Sequence, residues 1–202
     1  MDVMPDLAPE ILGRVSPGAA WPALSPRRWR AKRDFSTPAD LAAHRAAKIS
    51  KIEGQAVKAF VSDEWTLEYD LALGPKNADG TYPCALAKDV FIASFLADAD
   101  EKICSGTTTV AVEEVRADAE YQSLLESLPA APSREETLAS KIYARFSDGA
   151  SKPIAAQYLA ERFLKQFDAR TLTATGLRSA LPKYIVDAID YATRQSVPIA
   201  AP

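Results

Sequence analysis

Three groups of residues in this chain have types that could do chemistry. The first centres on Glu68, in Trp65-Thr66-Leu67-Glu68-Tyr69-Asp70-Leu71-Ala72-Leu73, directly behind the apolar run Val57-Lys58-Ala59-Phe60-Val61. A short β-rich run followed at once by a helical pattern with an acid in its first turn predicts a strand-to-helix edge. In α/β sheets such edges, at the carboxyl ends of strands, hold ligands and metals. The plainer role for Glu68 is to complement the helix dipole, worth a few tenths of a kcal/mol up to about 1 kcal/mol. The second group is Arg27-Arg28-Trp29-Arg30-Ala31-Lys32-Arg33, five cations in seven residues with one tryptophan. Cations there can neutralise DNA phosphates while Trp29 stacks; a solvated basic loop is the rival reading. The third group is His44, Cys84 and Cys104. A single histidine cannot build a multi-histidine metal site, and the cysteines are too far apart for a zinc knuckle or a redox pair, so they read as buried free thiols.

Composition narrows the rest. Hydrophobic residues make up 48% of the 202 and charged ones 25%, enough apolar side chain to bury a core in one ordinary domain. A net charge of −3 excludes a globally basic nucleic-acid binder, so any nucleic acid must meet a local patch. No run of eighteen apolar residues occurs and the start lacks a signal-peptide pattern, which together predict a cytoplasmic protein without a membrane partner. Hydrolase elbows, phosphate-binding P-loops and dinucleotide-binding glycine motifs are absent.

These residues need elements to position them. Residues 1–38 are rich in proline (Pro5, Pro9, Pro17, Pro22, Pro26, Pro38) and read as an irregular basic segment. Thr37 and Pro38 cap a helix that Gly54 stops. A strand is expected over Val57–Ser62 and a helix from about Trp65 to Leu73, where Trp65 and Tyr69 read as packing residues and Asp70 as facing solvent or pairing locally. Residues 74–80 form a loop, Cys84 to about Leu96 a helix, 98–109 a loop, and Val110–Leu128 another helix. Ser133 and Glu136 resemble a capping box opening the next one. Lys152-Pro153 starts a strongly periodic helix, a last one holds Leu181–Tyr191, and the tail from Ser196 is expected to fray. A lone strand leaves its ladder groups unsatisfied. The fold class is therefore read as helix-dominated α/β, the back portion of a larger unit whose other strands precede Met1.

At this point the pattern resembles a known family. Phe60-Val61-Ser62 followed by Trp65-Thr66-Leu67-Glu68-Tyr69-Asp70-Leu71-Ala72 is similar to the strand and T-L-E-Y-D-L-A segment of TOPRIM domains in overcoming-lysogenisation-defect (OLD) nucleases. Gly149-Ala150-Ser151-Lys152-Pro153-Ile154-Ala155 resembles that family's late lysine segment, and Leu181-Pro182-Lys183-Tyr184-Ile185-Val186-Asp187-Ala188-Ile189 its closing helix. Met1-Asp2-Val3 resembles the last positions of its Asp-x-Asp strand end.

The resemblance implies an incomplete TOPRIM-like (Rossmann-like) unit over 39–202, with a helical insertion at about 75–146. It also implies a DNA endonuclease with a two-metal Mg²⁺ or Mn²⁺ site, in which Asp2 and Glu68 are metal ligands and Lys152 stabilises charge on the scissile phosphate. Arg27, Arg28, Arg30, Lys32 and Arg33 are the expected DNA contacts. ATP enters only through an ATPase domain or subunit, expected as a partner because the family's ATPase and early acidic motif do not occur here; a homodimer is compatible. With those carboxylates missing, weak or no activity alone is expected. The alternative is a non-catalytic helical module that binds DNA or a protein. A primase or topoisomerase TOPRIM shares the acidic-metal logic but lacks a supporting tyrosine context or zinc segment here.

Overall fold

The pattern of apolar residues in the second half of the chain dictates helices, and the computed structural model, which describes residues 3–54, 57–130 and 133–194, is dominated by them. The elements run β1 (Val3–Met4), α1 (Ala8–Ile11), β2 (Arg30–Ala31), α2 (Pro38–Ile52), α3 (Leu67–Leu73), α4 (Ala87–Cys104), α5 (Val110–Glu126), α6 (Arg134–Ser147), α7 (Lys152–Asp168), α8 (Ala174–Ala180) and α9 (Lys183–Arg194). Among the described residues the sheet is a single parallel pair, Val3 opposite Arg30 and Met4 opposite Ala31. No helix there is long and apolar enough to cross a membrane.

Helix α4 is the axis of the core. It packs against α3, α5, α6 and α7, and its buried residues fall all around it: Val90, Phe91, Ile92, Ala93 and Leu96. A helix stretch covered on every side, as this one is from Val90 to Ala97, has to be surrounded. Trp65, Tyr69 and Leu73 from the α3 region, Tyr121 from α5, and Leu138 and Ile142 from α6 complete this core, with Met4 and Ala8 joining it from the amino end. Trp65 lies 4.2 Å from Tyr143 and 5.6 Å from Tyr69, ring centre to ring centre, so both aromatics of the acidic motif are packing residues. Burying large side chains of this kind contributes about 1.5–3 kcal/mol each.

Several sequence expectations are corrected. The stretch at 57–62 joins no ladder; a single antiparallel bridge, Gly54 with Val57, is its only pairing among the described residues. Regular strand instead occurs inside the proline-rich segment, where β1 and β2 pair, and Pro9 sits in the first turn of α1, where its missing N–H costs nothing. Helix α4 runs on through the expected loop to Cys104. Ala97 and Ala99 are buried there while Asp98 pairs with Arg145 and Asp100 accepts from Tyr158, so charged residues were the polar side of a helix. Helix α8 was not anticipated; Thr173 caps it by accepting from the Gly176 N–H at 3.0 Å. Ser133 precedes α6 without a side-chain capping bond, whereas the capping box of Thr37 and Asp40 on α2 is complete. Cys84 is half-buried, its thiol pushed up to about 11 by burial, but Cys104 is exposed.

Candidate functional site

Helix α3 is short, and its ends are held firmly. Thr66 Oγ1 accepts from the Tyr69 N–H, and Gly74 ends the helix at φ +75°, where a Cβ would lie 3.1 Å from Pro83. Seven residues turn through about two turns, so Glu68 and Asp70, two positions apart, project to opposite sides. Their surroundings differ accordingly.

Glu68 faces the start of α7. Lys152, the first residue of that helix, places its Nζ 2.9 Å from Glu68 Oε1 and 5.7 Å from the centre of the Tyr143 ring. The carboxylate is largely covered (side chain 12% exposed), while the lysine is half in solvent (54%). The pair stands at the rim of a cavity of about 110 Å³ between α3, α4, α6 and α7, whose walls include Leu67, Leu71, Phe146 and Leu159. Pro153 behind Lys152 supplies the fixed φ of a helix start, and the free amides of that first turn favour anions.

Asp70 turns the other way and is 2% exposed. It pairs locally, as one of the two sequence expectations had it, and does not face solvent. Its oxygens accept from the Trp65 N–H at 2.9 Å and the Glu64 N–H at 3.2 Å, pinning the turn that leads into α3. Burial pushes its carboxyl up to about 6, against those two bonds, with Glu64 and Asp63 adding to the rise. The Asp63 carboxyl is also raised, first by burial and then by Glu64. Burial works in the same direction on Glu64, but Lys32 and the Tyr82 hydroxyl (2.7 Å) overcome it and hold that carboxyl below its ordinary value. Asp63, Glu64, Asp70, Lys76, Tyr82 and Lys183 line a second cavity of about 350 Å³. The Tyr184 hydroxyl is buried with no hydrogen-bond partner among the described residues, and burial followed by the charges of Asp70, Asp63 and Glu68 raises it far above its ordinary value.

The residues singled out in the sequence are thus only partly brought together. Glu68 and Lys152 meet. Asp2 lies outside the described residues. Among the described residues no three histidine, cysteine, aspartate or glutamate side chains converge to hold a metal ion, so a complete two-metal site is not assembled from them.

The basic segment is largely occupied with its own neighbours. Arg27 makes a two-pronged pair with Asp34 (2.5 and 3.1 Å) and lies over the Trp29 and Trp21 rings at 4.5 and 5.0 Å. Desolvation opposes charge on Asp34, yet Arg27 and the Ala31 N–H bring its carboxyl below the ordinary value. Lys32 pairs with Glu64; Arg33 pairs with Asp6 and covers the Trp21 ring. Arg28 and Arg30 are exposed and form no ion pair among the described residues, although Arg30 lies over the Phe35 ring at 5.7 Å. Glu64 was missed by sequence reasoning. It joins Lys32, Tyr82 and, through its carbonyl, Arg45 of α2, and no local pattern marks a carboxylate whose partners lie far away in the chain. Compared with family models, curated proteins and solved structures, the chain matches none.

Proposed function

We propose that this chain serves metal-dependent hydrolysis of DNA phosphodiesters, as part of a TOPRIM-type endonuclease unit with Mg²⁺ or Mn²⁺ as cofactor and an ATPase domain or subunit as partner. One observation carries the reading: Glu68 and Lys152, distant in sequence, stand 2.9 Å apart at a surface-accessible rim. On this reading Glu68 is a hard oxygen ligand for the divalent ion. Lys152 offers a half-exposed cation to the charge that builds on the scissile phosphate, beside amides that also favour it. Arg28 and Arg30, the two cations of the basic segment without an ion pair among the described residues, are the DNA backbone contacts. The described residues supply one such carboxylate, so the chain alone is weakly active or inactive.

A second reading, a non-catalytic helical module that binds DNA or a protein, draws on the lack of a converging metal-ligand cluster among the described residues. The two diverge in one experiment. Mn²⁺ binding is followed by electron paramagnetic resonance, and plasmid nicking is assayed with the same protein. The nuclease reading expects weak Mn²⁺ binding that Glu68→Ala abolishes and Lys152→Ala strengthens, because the competing cation is gone. It further expects that any slow nicking is lost in both variants. Mn²⁺ binding indifferent to Glu68→Ala, with DNA affinity intact, leaves the interaction module standing.

A further inference from the structure

The cavity behind the Glu68–Lys152 pair is room that the chain's own side chains leave unfilled. It measures about 110 Å³, and Leu71, Val90, Phe146 and Leu159 are among its walls. Ala93 and Ala155, 1% and 4% exposed, line it where α4 packs on α7. Two short side chains at that contact leave the space that longer ones would take. Protein interiors hold few voids larger than a water molecule. An apolar void of about 150 Å³ stays dry yet takes up benzene, so this one has the size for an apolar body of about four or five carbons.

The cavity opens to solvent beside Leu67 (50% exposed) and Ala156, an exposed position of α7. Leu67 is a large apolar side chain that an occupant would draw out of water. Glu68 and Lys152 are the only polar side chains among the described residues that line it. Each already neutralises the other at 2.9 Å. An added anion would therefore meet Glu68, and an added cation Lys152, with no counter-charge to spare. Hydrogen-bonding capacity is nonetheless left over, because an ammonium carries three N–H donors and a carboxylate accepts more than one bond.

We infer that this cavity binds a small neutral amphiphile, its short apolar chain held inside and a single hydroxyl placed at the Glu68–Lys152 pair. A hydroxyl can donate a hydrogen bond to Glu68 while accepting one from Lys152, without parting them. The walls take the chain, and the pair selects the head. An apolar side chain of a protein partner would fill the same room but brings no hydroxyl to the pair. The inference rests on the walls and on the pairing itself, and it does not depend on the nuclease reading.

Titrations of the full chain with 1-pentanol, pentanoate and pentylamine, followed by methyl and aromatic NMR spectra, test it. These probes share a chain length and differ in the charge of the head. The expected result is saturable binding of 1-pentanol at about millimolar concentration, about tenfold or more tighter than either charged probe. Nuclear Overhauser contacts should run from the pentyl chain to the Phe146 ring and the Leu71 and Leu159 methyls. Ala156→Leu narrows the mouth and should weaken binding by about tenfold or more. Helical circular dichroism and the unfolding midpoint should stay unchanged, because the position is exposed and leucine is a good helix former. If that variant disturbs folding, the contacts seen in the parent chain decide alone. No saturation by 1-pentanol, equal binding of the charged probes, contacts to other residues, or binding indifferent to a folded Ala156→Leu overturns the inference.

Discussion

Two carboxylates on one short helix lead opposite lives. Glu68 is matched by a lysine, sits at a rim, and can trade that partner for another cation or lose it to a competing anion. Asp70, on the far side of α3, is desolvated with only two main-chain donors for company, and its charge is held at a cost. The first arrangement suits a group that meets something from outside. The second suits one that fixes the backbone so that the first points the right way. Exposure and the nature of the partner separate the two acids here; residue type does not, since both stand in the first turn of the same helix.

The largest effect should come from the residue that joins the two sides. Trp65 is 4% exposed, packs its ring against Tyr143 beside Lys152, and donates its main-chain N–H to Asp70. Trp65→Ala is expected to cost about 3–5 kcal/mol in urea unfolding and to disturb both sides together; a loss confined to one side would show that they are independent.

An intermediate effect is expected at Asp70, and its sign follows from the raised carboxyl. Below the ordinary value of 3.8 the group is protonated whether the chain is folded or not. Between there and about 6 the unfolded chain gives up its proton while the folded one keeps it, so stability falls as pH rises, and above about 6 the loss is complete. Asp70→Asn removes that loss. Its stability relative to the parent should rise from pH 4 to pH 6 and then level off, by at most about 3 kcal/mol, since one pKa unit corresponds to about 1.4 kcal/mol. Denaturant curves at several pH values check it, and a flat difference would mean that Asp70 is solvated.

The smallest effect belongs to Lys152. Its half-exposed pairing with Glu68 is worth less than about 1 kcal/mol, so Lys152→Met should barely move the unfolding midpoint while changing Mn²⁺ binding at Glu68. A large loss of stability would make the pair structural and remove the contrast with Asp70.

Much of the helical layout was legible along the chain. Thr37-Pro38 and Lys152-Pro153 announce helix starts by chemistry that acts within one turn, and the apolar stripes of α6 and α7 need only a count of residues. What was illegible depended on distant partners. The polar stretch after Leu96 looked like a loop because Asp98 and Asp100 face Arg145 and Tyr158, which lie far along the sequence. The run at 57–62 looked like a strand because its side chains are those of strands, but a ladder needs a neighbour and the described chain places none there. The five cations of the basic segment could not be sorted into engaged and open ones, because Asp34, Asp6 and Glu64 reach them only after folding.

By itself the sequence determined where helices begin, which faces are apolar, and that Glu68 and Lys152 each open a helix, because propensity, capping and periodicity act over a few residues. Only the tertiary structure decided that those two side chains meet, that Asp70 is sealed away, and that most of the basic segment is spent on internal pairs. Charge and burial are set by which surfaces the core brings together, and that is a property of the whole packing.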